Sequence, residues 1–145
     1  NRGCIMIQVI ALSDAGRAED LLRTLRATLD DATYTSRLKN AVANGYCILG
    51  LEDDGAMVGA LGYRITFDLC WGKSLYVDDL VVAPDLRGGG HGGALLAAAK
   101  AIAQDAQCDH MRLCSGLTRL DAHRFYETHG FGGFSKQFVL ALKGT

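Results

Sequence analysis

One proline in 145 residues, with no internal repeat or low-complexity tract, argues against a linker-rich or disordered chain. There is no excess of either charge: 15 Lys and Arg stand against 16 Asp and Glu, for a net charge of −1 and a pI near 6.4. A basic stripe is the usual footprint of a nucleic-acid binder, and its lack excludes nucleic acid as an expected partner. No apolar run reaches the roughly 18–20 residues that span a bilayer, so no membrane partner is expected either. Asn1-Arg2-Gly3-Cys4 lacks a basic segment leading into a long apolar core, and no signal peptide is expected. No CxxC pair occurs: Cys4, Cys47, Cys70, Cys108 and Cys114 are odd in number and scattered, which favours reduced thiols in a cytoplasmic protein. Cys108, His110 and Cys114 match none of the usual zinc spacings, so no metal site is expected.

What is present is apolar content of 49% and 18 glycines, enough for one globular domain over residues 1–145. A domain of this length buries roughly 70% of its unfolded surface without disulfide or metal. Ile5 to Ala11 reads as a strand. A helix capped by Ser13 or Asp14 then carries Leu21, Leu22, Leu25 and Leu29 at helical spacing. A second helix runs from about Thr33 to Asn44-Gly45. Strands over Tyr46 to Leu51 and Ala56 to Phe67 flank the turn signal Asp53-Asp54-Gly55, and a third covers Ser74 to Val82. After the glycine cluster come a helix to about Gln104, a strand at His110 to Cys114, a helix at Thr118 to Thr128 and a final strand at Phe134 to Leu142. The order βα(α)βββαβαβ predicts an α/β fold: a mixed sheet with helices on both faces, including a parallel strand–helix–strand crossover.

The most informative stretch runs from Val82 through Pro84-Asp85-Leu86-Arg87 to Gly88-Gly89-Gly90-His91-Gly92-Gly93. A strand enters a glycine-rich turn that opens directly onto a helix. The first amides of a helix have no internal partner, and the helix dipole favours an anion beside them. Glycines remove the Cβ atoms that would hold the anion off, and Arg87 adds a positive fork. As a mere flexible turn, this many glycines would be costly, at about 0.5–1 kcal/mol each relative to alanine inside a helix. Gly88, Gly90 and Gly93 also satisfy GxGxxG, but five residues separate Val82 from Gly88, whereas dinucleotide glycines follow their strand almost at once. A nucleotide P-loop needs Gly-Lys-Ser/Thr, and Gly92 precedes Gly93-Ala94.

Arg87-Gly88-Gly89-Gly90-His91-Gly92 resembles the R/Q-x-x-G-x-G/A signature of the GNAT superfamily of N-acetyltransferases, introduced by Leu80-Val81-Val82-Ala83-Pro84. A second motif, Ala122-His123-Arg124-Phe125-Tyr126-Glu127-Thr128-His129-Gly130-Phe131, resembles the family's A-x-x-F/L-Y-x-x-x-G-F. The resemblance implies acetyl-CoA as cosubstrate, its pyrophosphate held by Arg87 and the turn Gly88, Gly89, Gly90, His91, Gly92 and Gly93. It implies that the backbone of Leu80, Val81 and Val82 pairs with the pantetheine arm, that the strand at His110 to Cys114 splays away, and that Tyr126 protonates the departing thiolate. Where the family often has asparagine, seven residues before the tyrosine, this chain has Arg119. The run Arg119 to Tyr126 is similar to a subgroup that includes aminoalkylphosphonate N-acetyltransferases. Small members of the family often pair, which puts a homodimer among the expected assemblies.

Transfer to an amine needs a neutral nucleophile, a stabilised oxyanion and a proton for the thiolate. Deprotonating an alkyl ammonium of pKa near 10.4 at pH 7 costs about 4–5 kcal/mol, so a base or desolvation must help. Asp78 and Asp79 are the candidate bases; regular alternation sets them on opposite faces, leaving one to line a cleft. Tyr76 shares a face with Asp78 and is a candidate acceptor contact, and a backbone amide near Leu80 or Val81 is the candidate oxyanion donor. His91 is either a phosphate contact or a solvated helix-start residue; His123 and His129 read as surface or packing residues. The acceptor is a small-molecule or peptide amine. Asp53, Asp54, Asp68, Asp78 and Asp79 would attract a cationic one, whereas a phosphonate would need cations such as Arg119 and Arg124. The alternative is a non-catalytic acyl-CoA-binding regulatory module.

Overall fold

Alternating apolar residues build five strands: β1 (Ile7–Leu12), β2 (Cys47–Asp53), β3 (Ala56–Asp68), β4 (Gly72–Val82) and β5 (His110–Leu113). The computed structural model describes residues 7–143; of the first expected strand, Ile5 and Met6 lie outside the described residues. The chain divides into two compact units that meet in sequence between Leu113 and Cys114.

In the first unit the strands lie side by side in chain order, antiparallel from β1 to β4, with β5 parallel to β4. Parallel neighbours need a crossover, which helix α3 (His91–Asp105) supplies. Asp54 and Gly55, at φ 52° and 85°, form the two-residue hairpin turn between β2 and β3. Helix α1 (Glu19–Leu25) and helix α2 (Asp31–Ala43) precede β2. Asp30 caps α2 by accepting from the Thr33 amide at 2.7 Å, and that bond holds its carboxyl below the ordinary range.

The first helix departs from expectation. Ala15–Ala18 is a single 3-10 turn, Asp14 Oδ1 accepts from the Gly16 amide at 2.8 Å, and α1 stops at Arg26 rather than Leu29. Gly16 weakens a continuous helix at its start, and Arg26 leaves helical angles (φ −109°, ψ 49°) as its side chain turns to β4.

The sheet has two apolar faces set by alternation. Ile48, Ala60 and Val81 pack with Ala18, Leu22, Tyr34 and Tyr46 from the α1 and α2 region. Gly59, one residue from Ala60, faces Leu95 of α3, whose Cδ1 would lie 3.1 Å from a Cβ there. Leu51, Leu61, Leu75 and Leu95 are fully buried. No helix among the described residues is long and apolar enough to cross a membrane.

The second unit contains helix α4 (Leu120–Thr128). The final strand expected at Phe134 to Leu142 is corrected: this segment forms no strand among the described residues, and Phe138, Val139, Leu140 and Leu142 are 80–90% exposed. β-Propensity describes side chains, but a strand exists only with a hydrogen-bonded neighbour, and sequence cannot supply one.

Candidate active site

β4 leads through Ala83 and a 3-10 turn at Pro84–Leu86 into the glycine cluster. Gly88 and Gly90 have φ of 85° and 86°, left-handed values that a side chain resists, and a Cβ built on either meets nothing within 4 Å. The turn is therefore glycine for its backbone shape, with open space before it. The first helical bond runs from the Ala94 amide to the Gly90 carbonyl at 3.0 Å, leaving the amides of His91, Gly92 and Gly93 without intrahelical partners. Arg87 is exposed and its Nε points back to the Val82 carbonyl at 3.4 Å. Neither ring nitrogen of His91, shielded from solvent, has a hydrogen-bond partner among the described residues. Unpaired amides, an orphaned imidazole and a guanidinium on one turn fit a diphosphate.

A β-bulge sits upstream on β4. The ladder with β3 passes from Gly62↔Asp79 to Tyr63↔Val77, so Asp78 is the extra residue with no partner opposite. The regular alternation expected for Asp78 and Asp79 does not hold here, because a bulge re-aims the side chains beside it. Asp78 accepts from Arg64 Nε at 2.8 Å and Nη2 at 2.7 Å, a two-pronged pair that raises the guanidinium above its ordinary pKa. Asp79 Oδ1 accepts from Arg26 Nε at 2.9 Å and Nη2 at 2.6 Å, while its Oδ2 accepts from the Tyr46 hydroxyl at 2.6 Å. Both aspartate side chains are largely covered, at 23% and 15% exposure.

Next to the bulge, Arg64, Tyr76 and Arg112 are direct cross-strand partners on β3, β4 and β5. The two guanidinium carbons lie 5.4 and 5.3 Å from the Tyr76 ring centre, cation–π distances. Arg112 also donates to Ser74 Oγ and to Asp68 Oδ2, each at 3.1 Å, and lies 5.8 Å from the Trp71 ring. Tyr76 is thus joined to Asp78 through Arg64. Sequence reasoning missed Arg26, Tyr46, Gly62, Arg64 and Arg112. One signal was available for Arg64: a charge in the middle of a half-buried apolar strand needs a partner.

In the second unit Tyr126 is half-buried, edge-on to Phe125 at 5.3 Å and Phe131 at 5.9 Å. Burial pushes its phenol pKa up and the Arg119 charge partly opposes this, so the hydroxyl keeps its proton across the neutral range. Arg119 stands at the start of α4, and Arg124 pairs with Asp121 on the preceding turn. His123 and His129 bond the carbonyls of Gly116 and Phe125 at 2.7 and 2.8 Å, as local packing contacts.

The model of the Acetyltransferase (GNAT) family matches residues 17–131. The chain belongs to the GNAT family. This GNAT chain is 32% identical over 122 residues to the Uncharacterized N-acetyltransferase YhdJ of Bacillus subtilis (strain 168), covering 83% of this chain and 86% of the relative. It is 33% identical over 90 residues to an Aminoalkylphosphonate N-acetyltransferase of Salmonella typhimurium (strain LT2), covering 61% of this chain and 58% of that protein. Among solved structures, the aminoglycoside N-acetyltransferase AAC(6')-Iy in complex with CoA superposes with a TM-score of 0.85 at 13% identity, covering 99% of each chain, a likeness of fold. The GNAT chain is an acetyltransferase that uses acetyl-CoA as cosubstrate.

Proposed function

We propose that this GNAT enzyme acetylates the primary amine of a small acceptor by direct attack in a ternary complex. The observation that carries the reading is the turn from Arg87 to Gly93, where left-handed glycines, unpaired amides and an orphaned imidazole occupy one helix start. Acetyl-CoA supplies the activated thioester. Arg87, His91 and the amides of Gly88 to Gly93 hold its diphosphate, and the backbone of Leu80, Val81 and Val82 holds the pantetheine arm, with an amide near Leu80 or Val81 facing the oxyanion. Tyr126 holds a proton at its phenol oxygen for the thiolate. We assign the acceptor's ammonium to Asp78 rather than Asp79. Asp78 stands out of the ladder beside Tyr76 with a single partner, Arg64, on its carboxylate, whereas Asp79 is shared by three donors from Arg26 and Tyr46. The free cysteines Cys47, Cys70 and Cys108 agree with a reducing compartment, the cytoplasm in this reading.

The acceptor we favour carries an acidic group as well as its amine. Asp68, Asp78 and Asp79 each pair with an arginine, so the side that would attract a purely cationic acceptor carries positive charge beside its negative charge. The Arg64–Tyr76–Arg112 row, with Arg119 and Arg124 as the other candidate anchors, offers the cations an acid group needs. The name of the Salmonella relative points the same way.

Thiol release from acetyl-CoA, followed with matched amines that differ only in bearing a carboxylate or phosphonate, tests this. We expect kcat/KM at least tenfold higher for the acid-bearing partner, about 1.4 kcal/mol of discrimination. In the same assay Tyr126→Phe should turn over roughly 10²–10⁴-fold more slowly with little change in acetyl-CoA affinity. Failure of every amine to give release would sink N-acetylation, equal rates would sink the acid-bearing acceptor, and wild-type turnover in the variant would remove Tyr126.

A further inference from the structure

Asp79 gathers three distant pieces of chain on one carboxylate. Arg26 comes from the end of α1, Tyr46 from the turn into β2, and Asp79 itself from the bulge of β4. The Arg26 Nη2 also donates to the Asp78 carbonyl at 3.0 Å. A bulge takes its extra residue out of the ladder and leaves main-chain groups that need partners, and here a side chain provides one.

Room for this arrangement is made at Gly62. A Cβ there would lie 1.8 Å from the Tyr46 hydroxyl and 2.2 Å from its ring carbon Cζ. Gly62 does not have a positive φ, so its backbone does not call for glycine; the space above it does. Gly62 is also the residue paired with Asp79, at the step where the register shifts. The absent side chain on β3 and the extra residue on β4 are therefore two halves of one device.

The surroundings are apolar: Tyr46 packs with Ile48, Ala60 and Val81. A buried ion pair is often no more stabilising than apolar residues of similar volume, and a half-exposed one contributes little, so stability alone does not explain this one. Directional bonds can do what apolar packing cannot, which is to fix which residue bulges and where its neighbours point.

We propose that Arg26, Tyr46 and Gly62 act through Asp79 as a positioning device for the β4 bulge, setting the direction of Asp78 and of the Leu80 to Val82 main chain for acetyl transfer. They touch neither acceptor nor cofactor in this role. It rests on the reading of Asp78 and the Leu80 to Val82 backbone as the working parts of the site.

Tyr46→Phe removes one bond with little change of shape, and Arg26→Gln removes the other side from a half-exposed position. Both should lower kcat about tenfold, in line with loss of a charge-assisted bond, and raise the KM for acetyl-CoA by a smaller factor, because Leu80 to Val82 also hold the pantetheine arm. In the free enzyme, hydrogen–deuterium exchange at residues 78–82 should quicken about tenfold, with β1 and β2 unchanged. Arg26→Lys should recover part of the loss, and the double variant should fall well short of the product of the two single losses, because both act through one carboxylate. Unchanged exchange and kcat in folded variants would overturn the device, as would faster exchange spread evenly over the sheet, the mark of ordinary core packing. Because the exchange is read without substrates, a wrong assignment of the acceptor or of Asp78 leaves that arm of the test standing.

Discussion

The glycine turn and the β4 bulge are successive stretches of one strand–turn–helix path, built in opposite ways. From Gly88 to Gly93 the useful groups are main-chain amides, made available by taking side chains away. Between Tyr76 and Asp79 the groups are side chains, each held by a residue from another strand or helix: Arg64 on β3, Arg112 on β5, Arg26 and Tyr46 from the α1 and α2 region. A site made of backbone is written in consecutive residues. One made of side chains is assembled from residues far apart in sequence. The first should be damaged by adding atoms, the second by adding or removing them.

The largest effect should come from adding atoms to the turn. Gly90→Val forces a β-branched residue to a φ of 86° and sets it in front of the unpaired amides. We expect calorimetry to show CoA affinity reduced roughly 100-fold, about 2.7 kcal/mol, while Arg87→Ala costs less than about tenfold. If Arg87→Ala proves the more damaging, the turn works through its side chain and the contrast with the bulge fails.

A middle-sized effect should come from adding a single carbon at the bulge. Gly62→Ala would push its Cβ into Tyr46, and overpacking of this kind costs about 1–3 kcal/mol. A denaturation midpoint that does not move would mean Tyr46 has room to retreat, and that the fit at Gly62 is loose.

The smallest effect near neutrality, and the one that sharpens the account of the network, concerns alkaline stability. Burial first, and the Asp79 charge second, hold the Tyr46 phenol far above its ordinary pKa of 10.0. Below that value the folded and unfolded chains carry the same proton, and stability does not depend on it. Above it the unfolded chain releases a proton that the folded chain keeps, so stability falls as pH rises, by up to about 1.4 kcal/mol per pH unit. Tyr46→Phe lacks this contribution, and its stability should fall less steeply than wild type above about pH 10. Parallel curves for the two proteins would mean the phenol is not sequestered.

These contrasts also mark where sequence reading succeeded. The glycine turn, its helix, the hairpin at Asp54-Gly55 and the parallel return to β5 were legible because each depends on neighbouring residues and on short-range geometry. The broken first helix was not, since Arg26 leaves α1 for a partner 53 residues away. Nor was the outcome for residues 134–142, whose β-branched and aromatic content specifies a face but no partner. At the aspartates, alternation failed because a bulge is a property of two strands together, decided by Gly62 and Tyr46 as much as by Asp78.

By itself the sequence determined an α/β chain with a glycine turn at the mouth of α3 that leaves its first amides without helical partners, because chain connectivity alone brings those amides together. Only the tertiary structure decided that Asp78 belongs with Arg64 and Tyr76, and Asp79 with Arg26 and Tyr46. The physical reason is that a charge half-buried in a sheet takes whichever opposite charge the neighbouring strands bring within reach, and register, not order along the chain, sets that choice.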